Sequence, residues 1–179
     1  QGFMLAMYLV LTTNNMGVMW VAMEGATLAT VMLVSLYRTP ESIEAAWKYF
    51  ILCGVGIAQA LFGTILLYYA AVQIGEVENA LLWSELFQHA KQLNPEILEI
   101  AFVFMLIGYG TKIGLVPLHN WLPDAHSEGP TPMSAVLSGL LLNDALYAVV
   151  RNKMLVDGAT HNNVAGYLMM GFGLLSFLV

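Results

Sequence analysis

Long apolar runs alternate along the chain with short polar linkers. A helix needs about 20 mostly apolar residues to cross a bilayer, and five or six runs are candidates. Because open strands leave backbone groups without hydrogen-bond partners in lipid, the pattern predicts helices. The predicted spans, with the first and last taken as partial, are residues 2–13, 16–37, 47–72, 97–122, 132–150 and 164–179.

The longest connection, residues 73–96, has a helical pattern of its own. Its segment "ENALLWSELFQHAKQL" places several apolar residues near one face at helical spacing. This pattern predicts either an amphipathic helix lying in the membrane interface or a surface helix packed on neighbouring loops. The residues of this face are Ala80, Leu81, Trp83, Leu86, Phe87 and Ala90.

Small residues recur at four-residue steps in two of the predicted spans. The third span carries Gly56, Ala60 and Thr64, and the fifth carries Ala135 and Gly139. Small side chains at this spacing let two helices approach closely in a membrane. We therefore expect close helix packing at both places.

Composition supports the membrane interpretation. Apolar residues make up 59% of the chain and charged residues 10%, against about a quarter charged in soluble domains, and the mean hydropathy is +0.71. The net charge is −6, and the six lysine and arginine residues form no basic stripe of the kind that binds nucleic acid. The single cysteine, Cys53, excludes a disulfide framework and a cysteine pair for a metal. The predicted fold class is an all-α integral membrane protein, a multi-span helical bundle.

Three ionisable residues lie well inside apolar runs: Glu24, Lys112 and Asp144. Each costs roughly 2.5–3.5 kcal/mol at the centre of a membrane helix. Such residues face protein or water, pair with one another and mark ion pathways. The three are therefore candidate members of a proton relay.

A helix break is predicted around Lys112. Gly110 and Gly114 flank the lysine, and Pro117 lacks a backbone donor one turn later. Broken helices occur at membrane depth where they line a cavity or are buried in protein. The fourth span is therefore predicted to be discontinuous, with Lys112 at the break.

Glu24 and Lys112 form the natural neutral pair. Burial and pairing act in opposite directions on the protonation of such groups, so a lysine balanced between them can hold or release a proton as its partner moves. That behaviour is a proton relay. The alternative is a static buried ion pair that only maintains packing.

Three further residues extend or limit this relay. His119 and His126 flank the end of the fourth span and titrate near neutral pH, so they either pass protons or serve as hydrogen-bonded structure. Their spacing around Pro123 does not favour a metal site with Asp124, which is expected to support a turn. Asp144 is either a third relay member or a helix-stabilising group facing another subunit.

The segment "KIGLVPLHNWLPDAHSEGPTPMSAVLSGLLL" resembles the signature of the antiporter-like membrane subunits of respiratory complex I and its relatives. These relatives include multisubunit cation/proton antiporters and energy-converting hydrogenases. The segments "EAAWKYFILCGVGIAQALFGTILLYYAA" and "LLLNDALYAVVR" are most similar to the hydrogenase-4 component F group. The resemblance runs over nearly the whole chain.

This resemblance implies a position for the chain within a larger subunit. By analogy with the family fold, residues 1–179 are expected to form an internal fragment of a proton-antiporter-type domain of roughly fourteen helices. The fragment would cover about helices four to nine. Glu24 matches the family's fifth-helix glutamate, and Lys112 matches the lysine of its broken seventh helix. The eighth-helix lysine or histidine is matched by Asn143, followed by Asp144, which departs from the family pattern.

The resemblance also implies a function: a proton-translocating, non-catalytic subunit of a redox-driven complex in the cell inner membrane, crossing it several times. Other membrane subunits, a peripheral redox arm, the lipid bilayer and protons are the expected partners, with no nucleic acid. No cofactor is expected in this chain, whereas nickel–iron and iron–sulfur centres are expected in partner subunits. The alternatives are a cation/proton antiporter subunit and a structural membrane anchor that does not pump.

Overall fold

The computed structural model describes residues 1–75, 79–160 and 162–179. In these ranges the regular structure is helical, apart from one isolated β-bridge between Asn15 and Leu82. This confirms the predicted all-α fold class. The helices are α1 (Gly2–Thr12), α2 (Met16–Val34), α3 (Pro40–Val72), α4 (Trp83–Gln88), a 3-10 turn (Ala90–Gln92), α5 (Pro95–Ile113), α6 (Leu122–Glu128), α7 (Thr131–Val136), a π-helical turn (Leu137–Leu141), α8 (Leu142–Ala159) and α9 (Val164–Leu178).

Among the described residues, three helical stretches are long and apolar enough to cross a membrane: α2, α3 and the continuous run from α7 to α8. The helices α1 and α9 are apolar but only 11 and 15 residues long. Helix α5 has 19 residues, but it carries three charged ones, Glu96, Glu99 and Lys112. The predicted fourth span, residues 97–122, is therefore too long, because its helix already ends at Ile113.

Polar caps begin the long helices. The side chain of Asn15 accepts hydrogen bonds from the first free N–H groups of α2, Thr39 does the same for α3, and Asn94 for α5. Pro40 and Pro95 follow two of these caps, where their fixed φ suits the first helical position and their missing N–H has no cost. Helix α3 therefore begins at Pro40, ahead of the predicted residue 47.

Helices α3 and α5 pack closely in antiparallel orientation through small residues. A Cβ atom on Gly56 would lie 2.7 Å from Thr111 Cβ, and one on Gly108 would lie 2.6 Å from Ala60 Cβ. Both approaches are closer than side-chain carbons tolerate, so the two backbones touch where only hydrogen is present. The packing predicted for Gly56 and Ala60 is confirmed. At Gly139 a Cβ would meet no described atom within 4 Å, so the close packing predicted there is wrong.

The connection before α5 packs on its neighbours. Residues 76–78 of this connection lie outside the described part of the chain. The backbone N–H of Trp83 donates to Asn14 O at 2.8 Å, and its indole N–H donates to Arg151 O at 3.0 Å. The Arg151 guanidinium lies 4.8 Å from the centre of the Trp83 ring, within the range of a cation–π contact. The structure supports the second interpretation of this segment, a short helix packed on loops.

The contact between Gly108 and Ala60 generates a prediction for stability. Gly108→Ala forces the added methyl group against the α3 backbone, so we expect it to lower the free energy of unfolding by about 1–3 kcal/mol. Gly54→Ala is the matched control, because a Cβ there meets no described atom within 4 Å. Thermal unfolding of the full-length subunit in detergent measures both. Equal effects of the two substitutions would contradict the packing described here.

Candidate functional site

Lys112 lies in the last turn of α5 and is completely buried. Gly114 ends the helix directly after it, with φ at +81°, a left-handed conformation that glycine adopts without steric cost. The N–H groups of Gly114 and Leu115 both donate to Gly110 O at 3.0 Å. The discontinuous helix carrying Lys112 is therefore present in the structure. Pro117 follows in the loop, beyond the point at which the helix has already ended.

The loop after the break is tied to three helices. The indole N–H of Trp121 donates to Thr111 O at 2.7 Å, which satisfies a carbonyl near the end of α5. Its ring lies 4.9 Å from the ring of Tyr49 on α3. The backbone N–H of Val116 donates to Ser176 Oγ on α9 at 3.0 Å. A broken helix inside a membrane needs such partners for its backbone groups, and this loop has them.

The ammonium group of Lys112 meets a hydroxyl on α2. Nζ donates a hydrogen bond to Oγ1 of Thr27, which is itself completely buried. Among the described residues, salt bridges form at Lys48 and Lys153 and none forms at Lys112. The direct Glu24–Lys112 ion pair expected from the sequence is therefore wrong.

Glu24 still interacts with this lysine. It lies one helical turn before Thr27 and attracts the Lys112 charge without touching it. Its Oε2 atom is buried and makes no hydrogen bond within the described part of the chain. The carboxyl group lies near the Thr27 hydroxyl, three residues later on the same helix. The site therefore places a hydroxyl against the ammonium group and a carboxyl group near both.

Further buried hydroxyl groups line the same place. Thr30 Oγ1 and Tyr49 Oη lie 2.7 Å apart, joining α2 to α3. Cys53, one turn after Tyr49, is buried beside them. Sequence reasoning used Glu24 and Lys112 but did not assign a role to Thr27, Thr30 or Tyr49. The signal that could have found the two threonines is their spacing, since residues 24, 27 and 30 follow one another at three-residue steps on α2.

Asp144 lies in the first turn of α8 and is 7% exposed. Its Oδ2 atom has no hydrogen-bond partner within the described residues, and no salt bridge reaches it there. The adjacent Asn143 is exposed and donates to the backbone of Gly139 at 2.7 Å. Of the two polar neighbours, Asp144 therefore faces the helix bundle. Its burial inside this chain does not favour the alternative in which it faces another subunit.

The two candidate histidines occupy different environments. His119 follows the break, and its Nδ1 atom is buried without a hydrogen-bond partner in the described part of the chain. His126, on α6, shares a hydrogen bond with Ser134 Oγ. Burial lowers the pKa of His126, which keeps its ring neutral at pH 7. Asp124 accepts from Lys48 Nζ at 2.9 Å and does not support a turn by accepting backbone donors.

The described residues contain no group of three or more histidine, cysteine, aspartate or glutamate side chains placed to hold a metal ion. The structure instead brings together Glu24 and Lys112 around Thr27. It leaves His119 and Asp144 as separate buried polar groups and joins His126 to a serine. This arrangement can store and transfer a proton.

The family model described as "NADH:quinone oxidoreductase/Mrp antiporter, TM" matches residues 13–179. The chain belongs to this antiporter family. Its members with curated names include the "Hydrogenase-4 component F homolog" of Methylacidiphilum infernorum, 58% identical over 99% of this chain and 38% of the relative. The "NADH-quinone oxidoreductase subunit N" of Polaromonas naphthalenivorans is 32% identical over 87% of this chain and 30% of the relative.

Solved structures agree with this membership. A chain of the archaeal "membrane-bound sulfane sulfur reductase (MBS)", described as a respiratory membrane complex, superposes with a TM-score of 0.81 at 25% identity. That match covers 94% of this chain and 32% of the other. A chain of respiratory complex I from Thermus thermophilus gives a TM-score of 0.67 at 28% identity, covering 83% and 31%. The resemblance predicted from the sequence is confirmed, and this antiporter-family chain spans well under half the length of these relatives.

The arrangement around Thr27 generates a prediction for assembly of the full-length antiporter subunit. Glu24→Gln leaves the buried Lys112 charge without its nearby carboxylate, and we expect a loss smaller than the roughly 3–5 kcal/mol of breaking a buried pair in direct contact. Combining it with Lys112→Met removes both charges, so we expect the double variant to assemble better than Glu24→Gln alone. The yield of assembled complex on native gels measures this. A double variant no better than the sum of the two single losses would show that the groups are not coupled.

Proposed function

We propose that this chain forms part of a proton-translocating membrane subunit in a redox-driven complex of the energy-converting hydrogenase or complex I type. The observation that carries the proposal is Lys112, buried at a helix break and hydrogen-bonded to Thr27 one turn from Glu24. A buried ammonium group is costly, and ionisable residues kept inside membranes mark ion pathways and proton relays. Two relatives named as a hydrogenase-4 component and an NADH-quinone oxidoreductase subunit support the redox context.

In this proposal the redox chemistry lies outside the chain. Nickel–iron and iron–sulfur centres belong to partner subunits, including a peripheral arm, and the complex lies in the cell inner membrane. The chain contributes a site whose charge changes when a proton leaves or arrives. Neighbouring membrane subunits deliver the conformational or electrostatic push that makes the change directional.

His119 and Asp144 are the proposed continuations of the path. Each carries a buried atom whose hydrogen-bonding capacity is unused within the described part of the chain, and bridging water commonly satisfies such atoms. A carboxyl group at Asp144 carries a proton as a neutral acid, whereas a lysine carries it as a cation. His126, neutral and bonded to Ser134, is proposed as the more peripheral member.

Two other functions have observations in their favour. The family description also names the Mrp antiporter, which supports a cation/proton antiporter subunit that does not depend on a redox reaction. A structural anchor is supported by Asp144, because neither a salt bridge nor a hydrogen bond links it to Lys112 among the described residues. The three functions differ in what happens when Lys112 is neutralised.

The decisive experiment uses sealed membrane vesicles containing the intact complex with the full-length subunit. Proton uptake is followed with a pH-sensitive dye while the redox reaction runs, and Lys112→Met is compared with wild type at matched assembly and electron-transfer rate. We expect Lys112→Met to lose proton uptake while electron transfer continues, because no other described group replaces the ammonium at the break.

Lys48→Met is the matched control. Lys48 is exposed and forms surface salt bridges with Glu44 and Asp124, which contribute about 0–1 kcal/mol, so this variant should pump normally. Uptake that persists in Lys112→Met would make the site structural and favour the anchor. Uptake that requires sodium and persists without the redox reaction would favour the antiporter.

A further inference from the structure

We propose that Thr27 is itself a proton-relay residue, whose hydroxyl carries the proton between Lys112 and Glu24. The inference rests on the proposed function and deepens it by naming the group through which the two charged residues communicate. The family resemblance found in the sequence assigned no role to this threonine. The geometry does, because its hydroxyl is the group that Lys112 contacts.

The position of Thr27 supports this role. Thr27 Oγ1 accepts from Lys112 Nζ, and Thr27 is completely buried. Glu24 precedes Thr27 by three residues on α2, and side chains at this spacing are neighbours on a helix surface. The two charged groups form no salt bridge with one another. A proton moving between them by the shortest path therefore meets the threonine hydroxyl.

A hydroxyl group can accept one proton while it donates another, because it has one donor and two acceptor lone pairs. In the transfer, an N–H bond of the Lys112 ammonium breaks and an O–H bond forms on Thr27. The original O–H bond of Thr27 breaks, and that proton forms an O–H bond with the Glu24 carboxylate. The products are a neutral amine, a neutral carboxyl group and an intact hydroxyl. Atoms and charge balance without any further reactant.

The hydroxyl proton of Thr27 also has a resting position. Thr27 Oγ1 also lies 3.2 Å from Met23 O, the carbonyl one turn earlier on its own helix. Rotation about the Cβ–Oγ1 bond can turn the hydroxyl proton away from that carbonyl and, in the proposed transfer, towards Glu24. When it donates to Met23 O the path to Glu24 is closed, and when it donates to Glu24 the path is open. A rotation of this kind gives the relay an off state without moving a helix.

The test compares Thr27→Val, Thr27→Ser and Thr64→Val in the intact complex, using proton uptake per electron in sealed vesicles. Thr27→Val keeps the shape and removes the hydroxyl, and we expect uptake to fall to the level of Lys112→Met. Thr27→Ser keeps the hydroxyl, and uptake should return towards wild type. Thr64→Val removes a buried hydroxyl on α3 that bonds Ala60 O and has no bond to Lys112 among the described residues, so it should retain uptake.

Uptake at the wild-type level in an assembled Thr27→Val complex would overturn the inference. Should that variant fail to assemble, Thr27→Cys takes its place, because a thiol of similar size is only a weak donor and acceptor. Wild-type uptake in Thr27→Cys would equally overturn it. Lys112→Met, measured in parallel, separates the two proposals. If Lys112→Met loses proton uptake while Thr27→Val keeps it, only the Thr27 inference is overturned. If both variants keep full uptake, the proposed function is overturned as well.

Discussion

The structure depends on one constraint: the ammonium group of Lys112 is held inside the protein, away from water. The cost of that burial demands hydrogen-bond acceptors and nearby negative charge. Lys112 obtains the first from Thr27 and the second from Glu24. Because α2 provides both, the position of this helix determines the environment of the lysine.

The end of α5 meets the same constraint from the backbone side. Gly114 stops the helix immediately after Lys112, and the freed carbonyl groups of Gly110 and Thr111 find partners in the following loop. Trp121 provides one of these partners and also packs against Tyr49. The break is thus buried in protein and well anchored. That combination lets a non-helical segment persist within a membrane domain and holds the lysine in a defined position.

Close packing of α3 on α5 sets the dimensions of the site. With glycine at residues 56 and 108, the two backbones approach until Thr111 and Ala60 fill the space. This brings Tyr49 and Cys53 on α3 to the same depth as Lys112, where α2 completes the wall. On α8, Asp144 is buried just after a π-helical turn. Such turns are frequent at functional sites.

The sequence by itself determined the all-helical membrane fold, the family and the helix break beside Lys112. These features are local. The length of an apolar run matches the thickness of a bilayer, and the glycine at residue 114 adopts its conformation regardless of distant contacts. Only the tertiary structure decided that Lys112 bonds Thr27 rather than Glu24 and that Asp144, rather than Asn143, is buried. Both outcomes depend on the rotation and spacing of whole helices. Packing among several helices sets these quantities together, so no single stretch of sequence contains them.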